Sequence, residues 1–110
     1  MATTADYMEY VCAQIAGTGE IRYKKMFGEY MVYVDGRPVL LVCDNTPFVK
    51  ILPETAALFA QHGVTPSRGF PYAGAKEHYI LDIENTDLAV DMLRALARIL
   101  PLPKSRKKNS

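Results

Sequence analysis

A two-residue turn signal, Asp35-Gly36, separates two apolar runs in the middle of the chain. This dipeptide favours a type I′ turn, whose two central residues have positive φ, and it therefore predicts an antiparallel hairpin. The turn sets the register, with Val34 opposite Arg37 and Tyr33 opposite Pro38. If the two strands pair residue by residue from this turn, one face of the hairpin holds Tyr30, Val32, Val39 and Leu41. The other face then holds Glu29, Met31, Leu40 and Val42.

Three segments have the 3.6-residue spacing of amphipathic helices. They are residues 4–16 after a cap at Thr3 or Thr4, a segment from Pro53 to just before Gly63, and a segment after a cap at Asn85 or Thr86 that Pro101 ends. In the last of these, the residues expected on one buried face are Leu88, Ala89, Met92, Leu93, Leu96, Ile99 and Leu100.

The remaining patterns predict strands and connections. Residues 20–24 alternate as a strand with Ile21 and Tyr23 on one face. The alternation fails near Lys25 to Gly28, and Gly28 is expected to bend the chain before the hairpin. A turn at Asp44-Asn45, a short strand at 47–51, a loop over 64–76 and a final strand at 78–83 complete the pattern. The order αβββ(β)αβα predicts an α+β fold, a two-layer sandwich with an antiparallel sheet of about five strands.

Length and composition indicate one small domain. The chain has 110 residues and is 49% hydrophobic, which is enough to bury one core. We expect a single domain over residues 1–103 and a disordered basic tail over 104–110. The sequence has no apolar run long enough to cross a bilayer and no signal-peptide pattern at its start, so a cytoplasmic location is expected.

The charge of the chain is unevenly distributed. Four of its thirteen Lys and Arg residues lie in the last seven positions, which leaves nine basic side chains against twelve acidic ones elsewhere. Domains that grip nucleic acid need a basic face over the folded surface. This charge balance therefore weakens the hypothesis of nucleic-acid binding without excluding it.

Candidate catalytic and metal-binding residues lack workable partners. His62 and His78 are distant from each other, and neither has a ligand at metal-site spacing. Cys12 and Cys43 fall in apolar segments, which favours buried, reduced thiols over nucleophiles or a disulfide. We expect no catalytic site, no metal and no cofactor, and hence a protein that is not an enzyme.

Tyrosine is frequent in this chain, with seven residues. Five of them could form a base-stacking platform on one sheet face: Tyr23, Tyr30, Tyr33, Tyr72 and Tyr79. Tyrosine also suits half-buried strand positions, and we favour that interpretation, because basic residues lie between the aromatic ones only in the first strand.

The segment MFGEYMVYVDGRPVLLVCDNTPFVK resembles the signature of the N-terminal domain of TfoX/Sxy, a family of bacterial competence regulators. The matching residues are Met26, Phe27, Gly28, Tyr30, the Asp35-Gly36 turn, Phe48 and Lys50. The resemblance extends over roughly residues 4–100. It implies a regulatory role similar to that of co-activators that work with a DNA-bound transcription factor, and it supplies no catalytic residues. Family regulators carry a second, helical domain, so we expect a stand-alone N-terminal module here.

Two functions are left open. The first is a protein-interaction module whose partner could be a transcription factor, with a docking surface formed by Lys24, Lys25, Met26, Phe27, Gly28, Glu29, Tyr30 and Lys50. The second is weak nucleic-acid binding through Arg22, Lys24, Lys25 and the tail. Glu29 is expected either to accept a hydrogen bond at the corner or to pair with Lys24 or Lys25.

The two apolar faces of the hairpin also raise the question of self-association. If all helices cover one face, Met31, Tyr33, Leu40 and Val42 form an exposed patch that a second copy would bury in a homodimer. If the first helix crosses to the other face instead, the chain is a three-layer monomer. A charged residue at Leu40 is expected to dissociate such a dimer without unfolding it.

Overall fold

The computed structural model describes residues 3–26 and 29–102. Within these ranges the chain forms three helices and six strands. The helices are α1 (Ala5–Gln14), α2 (Pro53–Gln61) and α3 (Thr86–Ile99), and the strands are β1 (Ile21–Met26), β2 (Glu29–Val34), β3 (Arg37–Cys43), β4 (Thr46–Lys50), β5 (Ser67–Gly69) and β6 (His78–Ile80). The predicted bend at Gly28 and the predicted tail at 104–110 lie outside the described residues.

Each helix begins at a residue type that the sequence predicted. Thr4 is the N-cap of α1, and its hydroxyl oxygen accepts a hydrogen bond from the amide of Tyr7 at 3.2 Å. Asn85 caps α3 through its side-chain oxygen, which accepts from the amide of Leu88 at 3.3 Å. Pro53 opens α2, where its missing N–H removes a donor that the helix would leave unpaired. Local sequence therefore fixes where the helices start.

The six strands form one antiparallel sheet in the order β1-β2-β3-β4-β6-β5. The hairpin turn between β2 and β3 is confirmed, with φ of 51° at Asp35 and 84° at Gly36. Val34 pairs with Arg37, as predicted. The turn between β3 and β4 is confirmed as well, because Asp44 and Asn45 have φ of 52° and 55°.

A bulge in the β2–β3 ladder changes the predicted register beyond the turn. The observed pairs are Val32 with Leu40, Met31 with Leu41 and Tyr30 with Val42, whereas the prediction placed Val39, Leu40 and Leu41 at these positions. A bulge inserts one extra residue into a strand, and every residue beyond it moves to the opposite face. Leu40 and Val42 are consequently fully buried, and the predicted exposed patch containing them is wrong.

All three helices pack against one face of the sheet, and the two-layer α+β fold is confirmed. Residues of every helix join one core with strand residues; the largest buried side chains include Met8, Ile15, Leu40, Phe59, Leu88, Met92, Leu93 and Leu96. Because α1 packs in this core, the three-layer alternative is wrong. Ile99, predicted to belong to the buried stripe, is 42% exposed, since α3 ends at this residue.

The segment 64–76 was predicted to be loop throughout, but it contains β5. This three-residue strand pairs with β6 at the edge of the sheet, with Arg68 opposite Tyr79. Three residues are too few for an alternation signal, and Gly69 within the strand is typical of a turn. After β5, Pro71 and Tyr72 line a cavity together with Leu41, which lies on the face of the sheet opposite the helices.

Candidate interaction surface

The eight residues predicted as a docking surface do not share one face of the sheet. Phe27 and Gly28 lie outside the described residues. Lys25 and Tyr30 pair with each other, and Tyr30 also pairs with the buried Val42, so both lie on the helix side. The remaining four lie on the opposite side: Lys24, Met26, Glu29 and Lys50.

We term this opposite side the helix-free face, because none of the three helices in residues 3–26 and 29–102 covers it. Its apolar residues are Met31, Tyr33, Pro38, Leu41, Phe48 and Ile80. Phe48 is buried and the others are half-buried. Lys24 on edge strand β1 and Lys50 at the end of β4 are exposed beside this apolar centre. The helix-free face is therefore an apolar strip bordered by positive charge.

A cavity of about 480 Å³ opens at one end of the helix-free face. Its lining residues are Met26, Glu29, Leu41, Cys43, Pro71 and Tyr72. Burial, and secondarily the Glu29 charge, raises the pKa of the Cys43 thiol to about 11. Burial likewise raises the pKa of Cys12. Because the thiolate is the reactive form, these shifts agree with the prediction that neither cysteine is a nucleophile.

Glu29 accepts hydrogen bonds, which was one of its two predicted roles. Its Oε1 lies 2.7 Å from the Thr3 hydroxyl, which donates to it, and 2.9 Å from the donating amide of Asp44. The same hydroxyl oxygen accepts from the amide of Asn45 at 3.2 Å. Glu29 thereby links Thr3, two residues before α1, to the β3–β4 turn. Among the described residues it makes no ion pair with Lys24 or Lys25.

Strand β1 presents most of the basic side chains near this surface. Arg22 pairs with Glu20 at 2.8 Å, and both side chains are well exposed. Lys24 and Lys25 are exposed and make no ion pair within the described part of the chain. Tyr23 lies between these basic residues and is 48% exposed, although the strand pattern placed it inward. The reason is the position of β1 at the edge of the sheet, where Tyr23 has a strand neighbour on one side only.

A comparison with known protein families settles what kind of domain this is. Residues 13–95 match the family described as the TfoX N-terminal domain. The chain belongs to the TfoX N-terminal domain family. The resemblance inferred from the sequence motif is thus confirmed.

A curated relative has nearly the same extent as this TfoX N-terminal domain protein. It is described as an uncharacterised 12.7 kDa protein in the trpE 5′ region of Spirochaeta aurantia. The two sequences are 38% identical over 109 residues, which cover 97% of this chain and 91% of the relative. The family is of a regulatory type, and it is not one with a known enzymatic activity.

The tyrosines of this TfoX N-terminal domain do not line one face. Tyr79 lies on the helix side, where its ring meets Phe59 edge to face at a centroid distance of 5.1 Å. Tyr33 lies on the helix-free face, and Tyr23 packs edge to face on Tyr30 at 5.4 Å. Tyr23, Tyr30, Tyr33 and Tyr79 are strand residues, whereas Tyr72 lies outside the strands, and the choice of strand tyrosines over a stacking platform stays a prediction.

The two histidines have structural contacts in the TfoX N-terminal domain. His62 lies 2.9 Å from Asp91, and the His78 ring lies 2.8 Å from the carbonyl of Lys76. In the described residues no group of three or more His, Cys, Asp or Glu side chains could hold a metal ion. None of the helices in this same part of the chain is long and apolar enough to span a membrane.

Sequence reasoning found only part of the apolar centre of the helix-free face: Met31 and Tyr33 belonged to the predicted exposed patch, whereas Leu41 was assigned to the other face. The predicted docking surface followed the conspicuous motif around Phe27, whereas the residues next to Lys24 across the ladder are Met31 and Leu41. It also missed Phe70, which is 63% exposed, and it considered Tyr72, which is 60% exposed, only as part of a base-stacking platform. Two aromatic residues flanking a proline in a polar loop were a signal that could have identified them.

Proposed function

We propose that this TfoX N-terminal domain protein is a non-enzymatic interaction module that docks a regulatory protein on its helix-free face. The observation that carries the proposal is an apolar sheet face that α1, α2 and α3 leave uncovered, with Met31, Tyr33 and Leu41 half-buried in its centre. An apolar patch of this kind marks interaction sites more often than it occurs by chance on a monomer. A cytoplasmic location is part of the same proposal.

The charges at the borders specify the chemistry of the partner. Lys24 and Lys50 are exposed and unpaired within the described residues, and Glu29 is engaged by Thr3 and Asp44. A partner segment with an apolar centre and acidic flanks complements this arrangement, because opposite charges steer association and fix register. A transcription factor with such a segment fits the regulatory type of the family, and a second copy of this chain is the competing occupant.

Site-specific photocrosslinking in the native host tests the docking face. We expect Tyr33→p-benzoylphenylalanine to give one discrete adduct that still forms at raised salt, since apolar contacts are weakened little by screening. The same photoreactive residue at exposed Arg98 on α3 is the control and should give no adduct. An adduct of twice the chain mass would assign the face to a homodimer, and the absence of any adduct at position 33 would contradict the proposal.

Nucleic-acid binding is the second candidate, and one observation favours it. Arg22, Tyr23, Lys24 and Lys25 are consecutive and exposed on edge strand β1. We expect any affinity for single-stranded nucleic acid to fall steeply between about 50 and 200 mM salt. The double variant Lys24→Gln, Lys25→Gln should reduce the salt slope by about 0.7 for each phosphate that the protein no longer neutralises, and Arg98→Gln should leave it unchanged. An affinity that is the same in both variants would reject this function.

A further inference from the structure

A second groove, of about 490 Å³, opens beside α1 and α2. One wall is the outer side of α1 with Tyr7 and Tyr10, and the rest comes from α2, β4 and the segments around β5 and β6. Its volume falls in the range of small-molecule sites. Its apolar lining includes Pro47, Phe59, Val64 and Leu81.

The polar end of the groove is aromatic and acidic. The rings of Tyr7 and Tyr10 lie 6.0 Å apart between centroids and are inclined at 47°. Asp82 and Glu84 line the groove beside them and are exposed. None of its lining residues is basic, and neither carboxylate makes an ion pair within the described residues.

Arg68 is the basic residue adjacent in sequence to the groove lining, but it contacts residues outside the groove. Arg68 follows the lining residue Ser67, but its guanidinium lies over the Tyr79 ring at 5.4 Å and 3.5 Å from Glu77. The negative charge of Asp82 and Glu84 contributes to the raised pKa of both tyrosines. The pKa of Tyr7 is raised by burial, then by Tyr10, Glu84 and Asp82, and the pKa of Tyr10 is raised by burial and then by Glu84 and Asp82.

We propose that this groove binds an organic cation of the alkylammonium type. The apolar stem of such a ligand would lie against the half-buried Val64 and Pro66, and its charged nitrogen would lie near Glu84 and the tyrosine rings. Ring faces attract a cation through their quadrupole, and carboxylates without an ion pair attract it through charge. The shared chemistry is an ammonium group on an apolar stem, whether it comes from a free aliphatic amine or from a lysine side chain.

Titration of the ¹⁵N-labelled protein with n-pentylamine at neutral pH, followed in amide correlation spectra, tests the proposal. We expect saturable shifts confined to amides of Tyr7, Tyr10, Ile83 and Glu84. The alcohol n-pentanol has the same stem without the charge and should shift these amides at least about threefold more weakly. Equal binding of amine and alcohol, or no saturable shift with the amine, would overturn the proposal. A parallel titration with N-acetyl-lysine amide identifies the source: saturation there assigns a lysine side chain, and saturation with the free amine alone assigns a small ligand.

Two exposed positions allow variants that should leave the fold intact. Glu84→Gln and Tyr10→Leu should each weaken the amine at least about threefold. Their matched controls are Glu9→Gln, at an exposed acid on α1 outside the groove lining, and Tyr23→Leu, at an exposed tyrosine on β1; both should bind the amine as the parent does. Loss of binding in the controls to the same extent as in the groove variants would contradict the assignment.

Discussion

We expect Leu40→Ala to lower the free energy of unfolding by about 2 to 5 kcal/mol, the range for truncating a buried leucine. Leu40 is 1% exposed, pairs with the buried Val32, and belongs to the core beneath the helices. Its neighbour Leu41 lies on the helix-free face and is only half-buried. We therefore expect Leu41→Ala to lower the free energy of unfolding by about 1 kcal/mol, because this half-buried side chain removes less apolar surface from water.

Urea unfolding of the two variants, monitored by circular dichroism, measures this difference. The two substitutions delete the same atoms from adjacent residues of β3, so each is the control for the other. A larger cost at Leu41 than at Leu40 would contradict the bulged register. A charge at Leu40 should unfold the domain, because the position is buried, so the expectation that it would only dissociate a dimer is wrong. A charge at Leu41 is the substitution that tests self-association.

The bulge shows where sequence information ends in this sheet. Asp35-Gly36 identified the turn because few other dipeptides adopt its backbone conformation. Nothing in the apolar run after Pro38 indicated which residue would be the extra one, since Val39, Leu40 and Leu41 are all apolar and either register presents an apolar face. Packing beneath three helices decides between the two registers, and that is a tertiary effect.

Predicting the candidate interaction surface from sequence requires the same strand register. Lys24 and Lys50 were identified from sequence, and both lie on the helix-free face. Their apolar neighbours on β3 could not be assigned, because the bulge moves every residue of β3 beyond it to the other side of the sheet. The Tyr7 and Tyr10 groove was equally hidden, because it joins α1 to Asp82 and Glu84, more than 70 residues away in sequence. Only the fold brings these residues together.

Glu29 illustrates how a residue beside the candidate surface can act mainly in stability. It begins β2, and its carboxylate accepts hydrogen bonds from the Thr3 hydroxyl and the Asp44 amide. The amide of Thr4 in turn donates to the side-chain oxygen of Asn45 at 3.0 Å. These contacts join the start of α1 to the β3–β4 turn, at which both Asp44 and Asn45 have positive φ. The carboxylate thereby satisfies donors that would otherwise need water.

We expect Glu29→Ala to lower the free energy of unfolding by about 2 kcal/mol, because hydrogen bonds to a charged acceptor contribute more than neutral ones. Glu29→Gln keeps an acceptor oxygen without the charge, and it should cost about half as much. Glu20→Ala is the control, since Glu20 makes an exposed ion pair with Arg22, and it should change stability by less than about 0.5 kcal/mol. Combining Glu29→Ala with Thr3→Val measures whether the two side chains act together: the double variant should be less destabilised than the sum of the single variants. If Glu29→Ala instead unfolds at the same urea concentration as the parent but no longer yields the photocrosslinked adduct, the carboxylate belongs to the docking surface and not to the support of α1.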